Sequence, residues 1–456
     1  MISQGVKALR ELRILSQELP NLRILILSGV VGTLGAGLLN PIFSLYLESR
    51  GLTLERIGMV FTVGSLLPIF LQPMLGSLSD RFSRKKFVIG VSLATSLLLP
   101  VCTLFQHPGP LAAILALKLM LERSAAPVSS ALVGDFAPSK QRATVFALLD
   151  AAINLMFVVA LVASSLAVAW FSTEGVFYLA GALFFCSSLL LFGLEETRTF
   201  TPSPGTPPSS TQPSSTLPSS TETSSALKTA LQGLISPLHQ LRGSSTFQKL
   251  FVYYFGFTFA LDLFPIYLPL YAVKLGAPQA WVGPIIASSW LAYALVQPWG
   301  GRLSDQRPSR KPLILIGLLG MVLFEAALGL AGWLPPPLAL PAMICAWILL
   351  AIPDGLFRPA SQALIIDVAP AEKRGEVLGA LGSAASLANV SAPLLYGMVA
   401  GIWGLQGAFL LSAGAFLVAF AAMWQVQEPR PAHRSEASTT PATSSTDKPS
   451  ASASAS

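Results

Sequence analysis

The residues of this chain whose types and spacing carry chemistry are charged side chains set inside long apolar runs. Lys118, Glu122 and Arg123 interrupt one such run, Asp262 another, Glu325 a third, and Asp354 with Arg358 a fourth. An ionisable group in an apolar stretch of membrane length costs about 2.5–3.5 kcal/mol on insertion scales, so each asks for a partner or a task. Helical spacing supplies some partners. Lys118 and Glu122 are four residues apart on one helix face, and Asp354 and Arg358 have the same spacing in the favourable acid-first order. The second pair reads either as self-neutralising structure or as a substrate contact. Arg123 points about 100° away from Glu122 and is left over. It stands 12 residues before Asp135, about 18 Å from that helix end and so near mid-membrane. Asp262 has no opposite charge within one turn. A carboxylate without a counter-charge in a low-dielectric site can exchange a proton near neutral pH, which makes Asp262 or Asp150 the candidate proton-coupling group, with Asp262 also a candidate partner for Arg123 across a cavity. Asn40, Tyr253, Tyr254, Phe257 and Trp290 are candidate cavity-lining residues, and Glu325 reads as a structural group.

These residues need elements that hold them at membrane depth. The 456-residue chain is 53% hydrophobic and 11% charged, with mean hydropathy +0.64, against about 25% charged residues in soluble domains. Twelve apolar runs of spanning length occur, near 24–47, 57–78, 87–106, 111–134, 142–170, 176–194, 249–272, 280–303, 312–332, 339–366, 374–401 and 404–426. Helices satisfy their own backbone in lipid, so the fold class is an all-α polytopic membrane protein with twelve transmembrane helices.

The net charge of +7 raises nucleic acid as a partner, but the placement of the charges points to a bilayer. With the loop at Gly76–Lys86 placed inside, Arg50, Arg56 and Lys274 lie outside, Lys118, Arg123 and Arg358 lie within spans, and the rest of the 29 Lys and Arg fall on the inner side. That asymmetry predicts both termini in the cytoplasm and a multi-pass protein of the cell (inner) membrane.

Residues 1–23 read as a cytoplasmic amphipathic segment rather than a removable signal. Residues 24–194 and 249–426 form the two sets of six spans. The Ser/Thr/Pro-rich stretch 195–248 reads as a disordered cytoplasmic linker and 427–456 as a disordered tail. Cys102, Cys186 and Cys345 sit in apolar runs without metal-ligand spacing, and the three His lie outside spans. No P-loop, metal cluster or nucleophile–base set is present, so no cofactor or metal is expected and the chain does not read as an enzyme.

The two sets of spans are copies. Gly76-Ser77-Leu78-Ser79-Asp80 recurs 225 residues later as Gly301-Arg302-Leu303-Ser304-Asp305, and Tyr46, Gly51 and Gly58 recur as Tyr271, Gly276 and Gly283. The basic residues Arg81, Arg84 and Lys85 after the first copy are answered one residue late by Arg310 and Lys311. A second signature, Asp135 to Arg142, recurs at an offset of 232 as Asp367 to Arg374. Each Asp ends a helix, where it opposes the helix dipole, so pairing Asp135 with Arg142 and Asp367 with Arg374 relieves both.

The doubled G-x-L-x-D loops, six plus six spans and a long central loop resemble the major facilitator superfamily. Pro127 stands where the motif of that family's proton-coupled exporters has glycine, and the glycine-rich fifth-span motif of its drug antiporters is absent. The resemblance implies two pseudosymmetric six-helix bundles rocking about a central cavity that opens alternately to each side, with Glu325 of the ninth span on the outer layer. It also implies a latch in which Gly76, Asp80, Arg81, Arg84, Gly301, Asp305, Arg310, Asp135, Arg142, Asp367 and Arg374 take part, with Asp80 meeting the helix start at Arg374. Arg123, Glu122, Asp262, Asp150, Asn40, Asp354 and Arg358 are then the substrate or proton-coupling candidates. The implied function is secondary active transport by a monomer, with a small-molecule substrate and protons as partners. Proton-coupled efflux of amphiphilic or drug-like compounds is one form of it. Uptake of a small metabolite, with Arg123 or Arg358 available to pair an anionic group, and a transport-inactive receptor or scaffold are the alternatives.

Overall fold

The computed structural model describes residues 20–82, 84–105, 107–136, 142–194, 245–307, 309–368 and 374–428. Among them run α1 (Pro20–Ser49), α2 (Leu54–Phe82), α3 (Arg84–Leu104), α4 (Pro108–Phe136), α5 (Arg142–Phe192), α6 (Ser245–Leu261), α7 (Phe264–Lys274), α8 (Gln279–Gln306), α9 (Lys311–Ala331), α10 (Pro336–Val368) and α11 (Arg374–Trp424). At 51 residues each, α5 and α11 would be about 77 Å long if straight, more than twice the hydrocarbon thickness. Each turns back at one residue. Ser172 (φ 62°, ψ 171°) and Gly404 (φ 77°, ψ 172°) share one backbone conformation and stand 232 residues apart. Eight helical stretches are long and apolar enough to cross a membrane. With α5 and α11 crossing twice, and the 29-residue α2 and α4 added, the twelve-helix arrangement is complete.

The duplication is visible atom by atom. Gly51 and Gly276 both have positive φ, 84° and 100°, a turn conformation that side chains rarely adopt. The Tyr46 ring packs 4.5 Å from Phe177, and Tyr271 packs 4.6 Å from Phe409. At the other end, the basic pair that opens α3 is matched by the pair that opens α9. Arg84 Nη1 donates to both Asp135 oxygens at 2.9 Å, and Arg310 is bonded to Asp367. Lys85 reaches the carbonyl of Leu194, and Lys311 reaches that of Val426 at 2.7 Å.

The acids closing α4 and α10 are each bonded to an Arg on the neighbouring antiparallel helix, whose first turn lies level with them, a partner that sequence spacing does not give. The side chains of Arg142 and Arg374 lie outside the described residues.

Boundaries also move. Helix α1 begins at Pro20, inside the expected N-terminal segment, and α6 begins at Ser245, inside the expected linker. The remaining linker and tail calls lie outside the described residues. The seventh span, expected to be continuous over 249–272, is broken at Asp262 and Leu263. Pro265 explains the break, because it has no N–H to give and its ring crowds the carbonyl of Leu261.

The halves meet toward the end that carries Gly51 and Gly276. There Thr62 Oγ1 donates to the Val390 carbonyl at 2.9 Å and Gln279 Nε2 to Thr173 Oγ1 at 3.4 Å. The Tyr267 hydroxyl bonds the Pro393 carbonyl of its own half at 2.7 Å and lies 3.4 Å from that of Leu54. The approach is close because glycine stands at the crossings. A Cβ at Gly58 would lie 2.2 Å from the Pro393 oxygen, and one at Gly283 would lie 2.0 Å from the Leu161 oxygen. Toward the Asp135 end, Asp150 and Asn154 on α5 and Leu291, Leu295 and Trp299 on α8 are exposed.

Candidate functional site

The break in the seventh span builds the site. Leu263 N–H turns to the Ala260 carbonyl at 3.4 Å, leaving the Phe259 carbonyl without its usual helical donor. Two side chains of α11 bond the carbonyls at the break. Tyr396 donates to Phe259 O at 3.0 Å and Ser412 to Ala260 O at 3.2 Å. An unpaired buried carbonyl costs about 1–3 kcal/mol, so these bonds stabilise the break where it is.

Beside the break, a cavity of about 280 Å³ lies where the halves face one another. Asn40 and Phe157 line it from the first half, and Phe264, Trp290, Tyr293 and Trp347 from the second, with Asp354 and Arg358 in its wall. Its rings are fixed by contact. Phe264 and Trp347 lie 4.8 Å apart, Phe157 and Trp290 5.6 Å apart, and Trp347 Nε1 donates to the Ile285 carbonyl at 3.0 Å. Arg358 is spoken for. Its Nε and Nη2 donate to the two Asp354 oxygens at 2.9 and 2.5 Å, and its guanidinium lies 5.2 Å from both the Phe257 and Tyr293 rings. The walls therefore offer aromatic faces and few open polar groups. Tyr253, a candidate liner from sequence, is buried beside Phe257 in helix packing instead.

The charges of α4 divide as their spacing predicts. Lys118 Nζ lies 2.9 Å from Glu122 Oε2 and 5.3 Å from the centre of the Phe43 ring. Arg123 points elsewhere, bonded to Ser65 of α2, whose hydroxyl donates to the Phe61 carbonyl at 2.7 Å. Asp262 belongs to the other half and lies within electrostatic reach of the Arg123 guanidinium. Asp262 Oδ2 is buried with no hydrogen-bond partner among the described residues. The Arg and the Asp that spacing leaves without a partner on their own helix thus lie within electrostatic reach of each other, and Leu261, next to Asp262 in the chain, lines the aromatic cavity.

Other sequence candidates fall away from this point. Asp150 is exposed and accepts a bond from Asn154 Nδ2 at 3.1 Å. Of the latch group, Arg84, Asp135, Arg310 and Asp367 form the corner pairs described above, and Asp305 lies 3.8 Å from Arg310. Gly301 has open space where a Cβ would stand. The side chains of Gly76, Asp80, Arg81, Arg142 and Arg374 are outside the described residues, and with them the proposed contact of Asp80 with the start of α11. The Glu325 side chain does not face outward from its helix toward lipid. It is fully buried in the second half, near Ser412 and Tyr396. Residues that sequence reasoning missed are Ser65, Trp347, Tyr396 and Ser412. Pro265, three residues after Asp262 in an apolar run, is the signal for the break itself, because a proline there ends the helical hydrogen-bond ladder; its partners Tyr396 and Ser412 leave no such mark in the sequence.

The sequence model of the Major Facilitator Superfamily matches residues 25–345 and 281–452. Over 187 residues the chain is 31% identical to the multidrug resistance protein MdtG of Proteus mirabilis, covering 39% of this chain and 44% of that protein. Over 166 residues it is 33% identical to MdtG of Citrobacter koseri, covering 35% and 39%. The matched stretch spans less than half the length of these relatives. Among solved structures, the nucleoside transporter NupG superposes with TM-score 0.68 at 12% identity, over 89% of this chain and 100% of that one. A bacterial homolog of the human lysosomal transporter Spinster, inward-facing and unoccupied, superposes with TM-score 0.69 at 15% identity, over 89% and 96%. At such identities these structures share a fold with this chain. The duplicated twelve-helix architecture and a sequence match over most of its length place this multi-pass membrane protein in the Major Facilitator Superfamily.

Proposed function

We propose that this chain is a secondary active transporter that works by alternating access and exports amphiphilic, drug-like molecules in exchange for protons. The observation that carries the reading is an aromatic cavity between the halves, lined by Leu261 and Phe264 on either side of the break that holds Asp262; the Arg123 charge lies within electrostatic reach of Asp262 from the opposite half. Aromatic walls with few open polar groups suit an amphiphile better than a sugar, which needs several hydrogen-bonding side chains. Sequence similarity to proteins named for multidrug resistance points the same way.

Asp262 is the coupling group in this scheme. Charged, it attracts Arg123 and favours the state in which the halves meet at the Gly51 end. A proton on it removes that attraction and releases the halves to rock, so proton binding and reorientation are one event. Arg358 is neutralised by a two-bond pair with Asp354, which disfavours uptake of an anionic metabolite through this cavity. Both termini lie in the cytoplasm and the protein acts as a monomer in the cell (inner) membrane.

The test is flux in proteoliposomes under an imposed pH gradient. Asp262→Asn is expected to abolish gradient-driven flux while ligand-induced thermal stabilisation of the purified protein persists. Unchanged gradient-driven flux would remove Asp262 from the mechanism.

A further inference from the structure

The end at which the halves meet carries an open groove between the first turns of α2 and α4. Its volume is about 370 Å³, and it shares no lining residue with the aromatic cavity. Arg56, Met59 and Val63 line it from α2, and Gly109, Ala113 and Ala116 from α4. The small residues of α4 leave the room, and the α2 side chains form the wall. Gly58 and Thr62, which touch α11, lie on another face of α2, about 100° round from Met59 and Val63. Because the halves are closed on each other here, the groove opens to the perimeter of the bundle, where lipid is.

Polarity is graded along its length. Arg56 stands in the first turn of α2, at the mouth, and every other lining residue among those described is apolar. From Pro108 to Ala116 the helix rises about 12 Å, most of the roughly 15 Å of hydrocarbon in one leaflet.

The mouth is also electropositive. Both α2 and α4 begin there, and a helix start carries about half a positive charge. The acid of that turn, Glu55, is directed to α11, where a Cβ at Gly401 would lie 2.8 Å from its Oε1. Of the three cations that the sequence places at this end, Arg50 is bonded to Glu174, and Lys274 lies within electrostatic reach of Glu48. The Arg56 guanidinium has neither a hydrogen bond nor an ion pair among the described residues.

An unanswered cation above an apolar slot of leaflet depth matches a molecule with an anionic head and a hydrocarbon chain. A soluble anion would leave the slot empty, and a neutral chain would leave the cation without a partner. We propose that this groove is a binding site for an anionic glycerophospholipid, with its phosphate at Arg56 and one acyl chain laid along Met59, Val63 and Ala113. The proposal does not depend on the transport reading, because binding is its readout.

Native mass spectrometry of the delipidated full-length protein, titrated with phosphatidylglycerol, tests it, with diacylglycerol and inorganic phosphate in parallel. One phosphatidylglycerol retained above the statistical ladder of adducts is expected, and neither of the other two. Arg56→Gln and Ala113→Phe, both at exposed positions, should each weaken retention about tenfold, the first by removing a charge-assisted bond and the second by filling the slot. Arg50→Gln, at the same end but outside the groove, should leave it unchanged. A purely statistical ladder, equal retention of diacylglycerol, displacement of the lipid by inorganic phosphate, or indifference to Arg56→Gln would overturn the assignment.

Discussion

Arg358 illustrates how a mid-membrane charge is made safe at the scale of one residue. Two bonds to Asp354 and two flanking rings hold a planar guanidinium that a lysine cannot imitate. Arg358→Lys is therefore expected to lower stability by about 1–3 kcal/mol, seen as a lower midpoint of thermal unfolding in detergent. Retention of the native midpoint would show that the fork geometry contributes nothing. The partnership of Asp354 and Arg358 is legible in the sequence, because residues four apart on a helix face one another whatever surrounds them. The relation of Arg123 to Asp262 is legible only as two residues without local partners. Nothing in linear spacing says that they approach each other across the boundary between halves.

At the scale of an element, the break between α6 and α7 is held from outside. Tyr396 contributes its hydroxyl to the Phe259 carbonyl from a helix 137 residues further along the chain. Tyr396→Phe keeps the ring packing against Phe259 and removes only that donor. It should cost about 1–3 kcal/mol in thermal unfolding, with the conservative volume excluding a cavity effect. Pro265 announces the break in sequence, whereas its stabilising partners depend on how α11 packs on α6. Apolar runs also hide reversals. α5 and α11 each turn back at a single residue, and the sequence supports separate spans there because one helix of that length cannot fit a bilayer.

For the whole molecule, the repeat dictates how the halves close. Gly58 and Gly283 occupy matching positions in the two copies, and each lets a backbone carbonyl of the other half approach. Gly58→Leu or Gly283→Leu overpacks a crossing by about 1–3 kcal/mol, enough to shift a two-state equilibrium roughly tenfold. Spin labels at the exposed positions Glu55 and Trp281 should then move apart, read by double electron–electron resonance after replacement of the native cysteines. An unchanged distance would mean that these crossings do not control closure. The duplication further predicts that cysteines at Lys86 and Arg307 are labelled by an impermeant thiol reagent from the same side of the membrane. Labelling from opposite sides would break the proposed topology.

By itself the sequence determined that this chain is a membrane protein of twelve helices in two copies, and which charges pair within one turn. Both follow from local rules, since hydropathy over a span and the helical period need no neighbours. Only the tertiary structure decided that Asp135 meets Arg84, that Glu325 is buried inside a bundle, that Arg123 lies within electrostatic reach of Asp262, and that the halves meet at the Gly51 end. In lipid an apolar residue looks the same whether it faces the bilayer or another helix, so sequence carries little record of helix rotation and packing. Those two quantities set every contact between helices distant in the chain, and the candidate site is made of such contacts.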